Sequence, residues 1–80
     1  MKAKVKKALL ETIRSLYSLE INGFSLEQPR EESYGDYATN VAFLLAKSLR
    51  KNPQEIAQEI ANKLSNEGLS AGALKGFINI

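Results

Sequence analysis

GFINI, residues 76–80, is the stretch whose reading decides the fold. In a strand, side chains alternate, so Phe77 and Asn79 share one face while Ile78 and Ile80 share the other. The isoleucines belong against a core. The opposite face then carries an aromatic ring beside an amide. That pair suits an unstacked nucleotide, because the ring is a flat apolar surface and the amide both donates and accepts at a base edge. Gly76, lacking Cβ, lets another backbone come close or lets the strand begin with unusual dihedrals. A plainer account also fits five residues taken alone. A Phe on a terminal strand is commonly half-buried against a helix, and an Asn commonly satisfies a turn. Spacing leaves both accounts open.

Working outward, a partner strand is found at residues 24–28, where Phe24, Leu26 and Gln28 alternate with Ser25 and Glu27, and Pro29 closes the run or marks an edge. Residues 69–75, LSAGALK, read as loop or poor strand, and residues 29–35, PREESYG, as a polar loop. The other segments are helical. Val5, Leu9, Ile13 and Leu16, widened by Ala8, Thr12 and Tyr17, predict an amphipathic helix over 2–19, with Asn22-Gly23 as the stop. Its lysine-rich start is at the wrong pole for the macrodipole, so the first turn frays or meets an anionic partner. A second helix is expected to begin near an Asp36 N-cap and to bury Ala38, Val41, Ala42, Leu45 and Leu49. Phe43 and Leu44 broaden that face, which predicts the central helix. Asn52-Pro53-Gln54-Glu55 is a capping box with Pro at the first helical position. Ile56, Ala57, Ile60, Ala61 and Leu64 follow as a stripe, Glu59 precedes Lys63 by four, and Gly68 ends the third helix. Its alanines predict close packing on the second helix through a hinge at Lys51-Asn52. The expected architecture is α+β, a single domain over 1–80 with about three helices packed on a small antiparallel sheet made from residues near 24–28 and 76–80.

Composition narrows the chemistry. With no Cys and no His, disulfides are excluded, and the commonest general base and the thiol nucleophile are both missing. There is no phosphate-cradling GxxxxGK[ST] loop, and Glu31 and Glu32 are adjacent carboxylates with nothing near to tune them apart. The chain is therefore expected to bind rather than react. Metal ligands are expected to be absent, and so are cofactors within this segment. No apolar run is long enough for a membrane helix, and a cytoplasmic location is expected. The net charge is +2. Lys2, Lys4, Lys6 and Lys7 form one basic cluster and Lys47, Arg50 and Lys51 another. Between them Glu27, Glu31, Glu32 and Asp36 stand against Arg30. That distribution admits a polyanion partner, or simply a solvated surface.

YGDYATNVAFLLAK at 34–47, NPQEIAQEIANKL at 52–64 and then GFINI together resemble the N-terminal additional domain of arginyl-tRNA synthetases, from about residue 5 onward. The resemblance implies an α/β module beside a catalytic core, docking on the outer corner of tRNA at the D-loop. In that family an aromatic and an Asn of the GF-x-N strand are associated with reading a D-loop nucleotide, and they match Phe77 and Asn79 here. Asp36 and Asn40 match the helix-start block, Asp36 as a cap and Asn40 as a structural residue or part of the docking surface. Lys75 is expected to meet phosphate and Gly76 to lie within the tRNA-binding strand. The implied partners are the tRNA for arginine and the catalytic domain of the parent enzyme, with no membrane and no DNA. The parent joins arginine to tRNA using ATP with magnesium, through HIGH-type and KMSK-type signatures that these residues do not contain. The family's domain continues with further strand, so a truncated sheet with a raw edge is expected. The rival expectation is a protein-interaction module that packs on a larger enzyme without touching RNA.

Overall fold

The first helix of the computed structural model, α1 (Lys2–Tyr17), buries Val5, Leu9 and Ile13 along one stripe. The structure describes residues 2–21, 23–28 and 37–80. Thr12 is buried beside that stripe, and its hydroxyl has no partner among the described residues. Leu16, expected in the stripe, is largely exposed. The helix stops two residues early because Ser18 turns left-handed at φ 56° and donates its N–H to the Arg14 carbonyl. The proposed stop lies further on, at Gly23 with φ 82°, while Asn22 is outside the described residues. So are the Asp36 cap, Pro29, Glu31, Glu32 and the 29–35 loop.

Strand β1 (Leu26–Glu27) follows, with Phe24 and Leu26 buried as alternation requires. The Lys6 ammonium lies 5.6 Å from the Phe24 ring centroid, a cation–π contact that ties α1 to the entry of β1.

The largest departure comes next. Residues expected to open the second helix instead form β2 (Ala38–Thr39), and α2 (Val41–Leu49) starts only after it. The physical reason lies in two side chains. Thr39 is buried and its Oγ1 accepts from the Val41 N–H at 3.2 Å, satisfying a donor of the first helical turn. Asn40 makes no cap bond; its Oδ1 accepts from the Ser25 N–H and the Ser25 hydroxyl, each at 3.2 Å, lashing β1 to the start of α2. Asn40 is thus a structural residue, and Ala38 belongs to the sheet.

Helix α2 buries Val41, Ala42 and Leu45 but leaves Phe43 and Leu44 39% exposed, so it is not the central helix. That place falls to α3 (Pro53–Asn66), whose Ile56, Ala57, Ile60, Ala61 and Leu64 are enclosed and which touches α1, α2 and half the sheet. Asn52 caps α3, accepting from the Gln54 N–H at 2.8 Å, with Pro53 first in the helix. Glu55 makes no return bond among the described residues. The α2–α3 hinge turns at Arg50, φ 54°. Glu59 does not pair with Lys63. It pairs with Lys51 at 2.7 Å, and Lys63 pairs with Glu67. Gly68, φ 96°, follows the end of α3 as expected.

The chain finishes on a hairpin of β3 (Gly72–Leu74) and β4 (Phe77–Asn79). The sheet is antiparallel, in the order β1-β2-β4-β3. The expected strands near 24–28 and 76–80 therefore exist but are not neighbours, because β2 lies between them. Reciprocal bonds between Tyr37 and Ile80 extend the β2–β4 ladder by a residue pair. Helices α2 and α3 cover the face that carries Thr39, Ile78 and Ala73, and α1 packs on α3, giving an α+β domain with one shared core. Among the described residues no helix is long and apolar enough to cross a membrane.

Candidate functional site

Strand register fixes what the other face of the sheet presents. Ile78 pairs with Thr39 on one side and Ala73 on the other, and all three point into the core. Alternation sends their neighbours outward. Asn79 stands between Ala38 and Gly72, and Phe77 stands across from Leu74. The strand neighbours of Asn79 are thus a glycine and an alanine. Its side chain is half-buried between these small neighbours and makes no hydrogen bond to any described residue. Phe77 and Leu74, 45% and 44% exposed, form the apolar wall at one end.

A third apolar group joins that wall from outside the sheet. The Phe43 ring, from the first turn of α2, meets the Phe77 ring edge-on with centroids 5.2 Å apart. Phe43, Phe77 and Leu74 thus form an exposed cluster at the hairpin end. Exposed single apolar residues are ordinary; here three stand together beside an amide that has no hydrogen-bond partner among the described residues.

The sequence-predicted residues divide into two groups. Phe77 and Asn79 face outward together, and Lys75 is exposed at the tip of the hairpin. Gly76 is buried, and its N–H donates to Gln54 Oε1 at 2.6 Å. A Cβ on Gly76 would sit 2.5 Å from the Phe43 Cζ. Gly76 is therefore a residue that lets a ring and a turn pack together, rather than one open to a ligand. Phe43, Leu74 and Gln54 were not singled out for this site from sequence. Phe43 carried a signal, an aromatic beside the buried stripe of its helix; Gln54 carried none.

One other polar cluster bridges elements. The Tyr17 hydroxyl donates to Glu59 Oε1 and the Lys51 ammonium to Glu59 Oε2, joining α1, α3 and the hinge. The hydrogen bonds from Lys51 and from Tyr17 hold the Glu59 carboxyl below its usual range. Burial, then the bond to Glu59, pushes the Tyr17 hydroxyl well above its own. Each of these groups has its partner, so the cluster is a brace between elements.

The arrangement has relatives. A family model described as the arginyl tRNA synthetase N terminal domain matches residues 1–80. The arginine–tRNA ligase of Aquifex aeolicus (strain VF5) is 48% identical over 81 residues, which cover 99% of this chain and 14% of that protein. The arginine–tRNA ligase of Desulfitobacterium hafniense (strain DSM 10664 / DCB-2) is 39% identical over 83 residues, covering 96% of this chain and 15% of that protein. A shorter match, to the arginine–tRNA ligase of Carboxydothermus hydrogenoformans, is 62% identical over 34 residues, or 42% of this chain and 6% of that protein. The chain thus spans only 14–15% of the length of the relatives it matches nearly throughout.

Proposed function

The chain belongs to the arginyl-tRNA synthetase N-terminal domain family, and from that premise we propose that it is the tRNA-docking domain of an arginine–tRNA ligase. It supplies RNA contact in the cytoplasm, while the ATP- and magnesium-dependent joining of arginine to tRNA belongs to a catalytic domain elsewhere in the enzyme. The contact is with the D-loop at the outer corner of tRNA. The observation that carries this reading is the outer face of β4, where ring and amide stand side by side and the strand neighbours of the amide are Ala38 and Gly72.

Each group has a role that its chemistry permits. Phe77 takes an unstacked base or, for a saturated dihydrouridine ring, offers shape rather than π-stacking. Asn79 donates and accepts at the base edge. Lys75 meets phosphate at the hairpin tip, contributing salt-dependent affinity without sequence preference. Gly76 acts beneath them by letting the turn close. With a net charge of +2, the isolated chain binds at about micromolar strength or weaker.

The test is a titration of the chain with an arginine tRNA and a tRNA of another specificity at low and moderate salt, following backbone amide shifts. Shifts centred on residues 72–79, larger for the arginine tRNA, are expected. Asn79→Ala should weaken binding by roughly tenfold and leave the thermal midpoint nearly unchanged. Shifts confined to α2 would instead mean a scaffold that packs on protein. A large loss of stability in Asn79→Ala would make that residue structural.

A further inference from the structure

The turn between β3 and β4 holds a strained residue. Lys75 and Gly76 have φ of 51° and 85°, so the hairpin closes through a mirror-image two-residue turn with both central residues left-handed. Asn, Asp or Gly normally fills the first of these positions, since a longer side chain is disfavoured there. A lysine in that conformation persists only where its surroundings hold it.

Two side chains from outside the hairpin do so. Gln54, in the first turn of α3, accepts from the Gly76 N–H at 2.6 Å, and its Nε2 reaches the Ala73 carbonyl at 3.5 Å. One side-chain amide thus spans the turn from Ala73 to Gly76. The ladder bond of a two-residue turn is made by the residue after it, so the Gly76 N–H needs an outside acceptor once buried. On the other side the Phe43 ring lies so close to Gly76 that no Cβ fits between them, and it also braces Phe77 edge-on.

We infer that Gln54, backed by Phe43, is a positioning residue for RNA recognition. It holds the Lys75-Gly76 turn in its strained form, so that Lys75 and Phe77 stand fixed relative to Asn79 before any RNA arrives. The inference rests on the RNA-docking reading given above. A turn released from this grip would have to order at the moment of binding, and affinity falls by that ordering cost.

Gln54→Met keeps the length of the side chain and removes both polar ends. In the free chain it should raise amide hydrogen exchange at Gly76 while the amides of α3 keep their protection. It should weaken binding of an arginine tRNA roughly fivefold, the equivalent of one net hydrogen bond. Gln54→Glu, which keeps the acceptor, should preserve protection at Gly76. Adding Lys75→Asn to Gln54→Met gives the turn residues that prefer this geometry. Order of the turn, read as protection of the Phe77 amide that makes its ladder bond, should then return even though the Gly76 N–H still lacks its acceptor. A general packing defect would not show that rescue. Unchanged exchange at Gly76 in Gln54→Met would overturn the inference. So would a loosened turn with full affinity, provided Phe77→Ala still weakens binding; the docking reading would then stand without it. If neither Gln54→Met nor Phe77→Ala alters binding, the docking reading itself fails and takes the inference with it.

Discussion

The two faces of β4 differ by one residue and by nearly everything else. Ile78 is wholly enclosed between Thr39 and Ala73, under the helices. Phe77, its neighbour, is 45% exposed, with Leu74 across from it and Phe43 at its edge. On the helix side of β4, packing accounts for Ile78. On the outer side it accounts for less, because an aromatic pair, a leucine and an amide without a hydrogen-bond partner among the described residues stand together there. Burial explains why Ile78 is isoleucine; the edge contact with Phe43 accounts for only part of the Phe77 ring, and the proposed RNA contact gives the exposed remainder a use. The comparison teaches where to look for function in such a domain: at the face that folding leaves unexplained.

The comparison breaks most sharply at Ile78. Ile78→Ala removes an enclosed side chain and leaves a cavity beneath α3, for an expected loss of about 2–5 kcal/mol in urea unfolding. Phe77→Ala should lose only about 1 kcal/mol, mostly its edge contact with Phe43. Equal losses would mean that the outer face is as structural as the inner one. Gly76→Ala comes next. The new Cβ displaces the Phe43 ring, a flexible group that can swing away, so the lasting cost is the left-handed φ, about 1–2 kcal/mol. The check is an unfolding curve together with loss of the Overhauser contacts between Phe43 and Gly76. A neutral substitution would show that the turn is not held as described.

Much of this was legible in the sequence, and the failures share a cause. The stripes of α1 and α3 were plain because their periodicity runs over several turns, and the outward pairing of Phe77 with Asn79 followed from alternation alone. Strand β2 was not legible. Two residues carry no period, and a Thr-Asn pair ahead of an apolar run looks like a helix start, which in part it is, since Thr39 caps α2 from within the strand. The order of the strands was hidden for the same reason. The partners of Glu59 were missed because an i,i+4 rule sees only its own helix, while Tyr17 and Lys51 arrive from elsewhere. Gln54 reads as one more polar residue of a first helical turn until the hairpin folds against it.

The smallest expected effect lies on the helix side and sharpens the comparison from there. Glu59 is held charged by Lys51 and then by Tyr17, so its folded pKa lies below the ordinary 4.5. A carboxyl shifted down contributes stability that is present above the ordinary value and lost as pH falls through the folded one. Tyr17 shifts the other way, chiefly by burial; its contribution is present below its ordinary 10.0 and lost as pH climbs beyond it. Both partners of the Lys51–Glu59 pair are more than a third exposed, so the whole effect should stay under about 1 kcal/mol. Glu59→Gln should therefore flatten the fall in urea midpoint between roughly pH 5 and pH 3, and Tyr17→Phe the fall above pH 10.0. An unchanged acid slope in Glu59→Gln would mean that the brace does not hold in solution. Affinity for tRNA at neutral pH should stay within about twofold in both variants, because sites without shared partners act independently. Coupling larger than that would tie the brace to the outer face, and the division drawn at β4 would no longer separate folding from recognition.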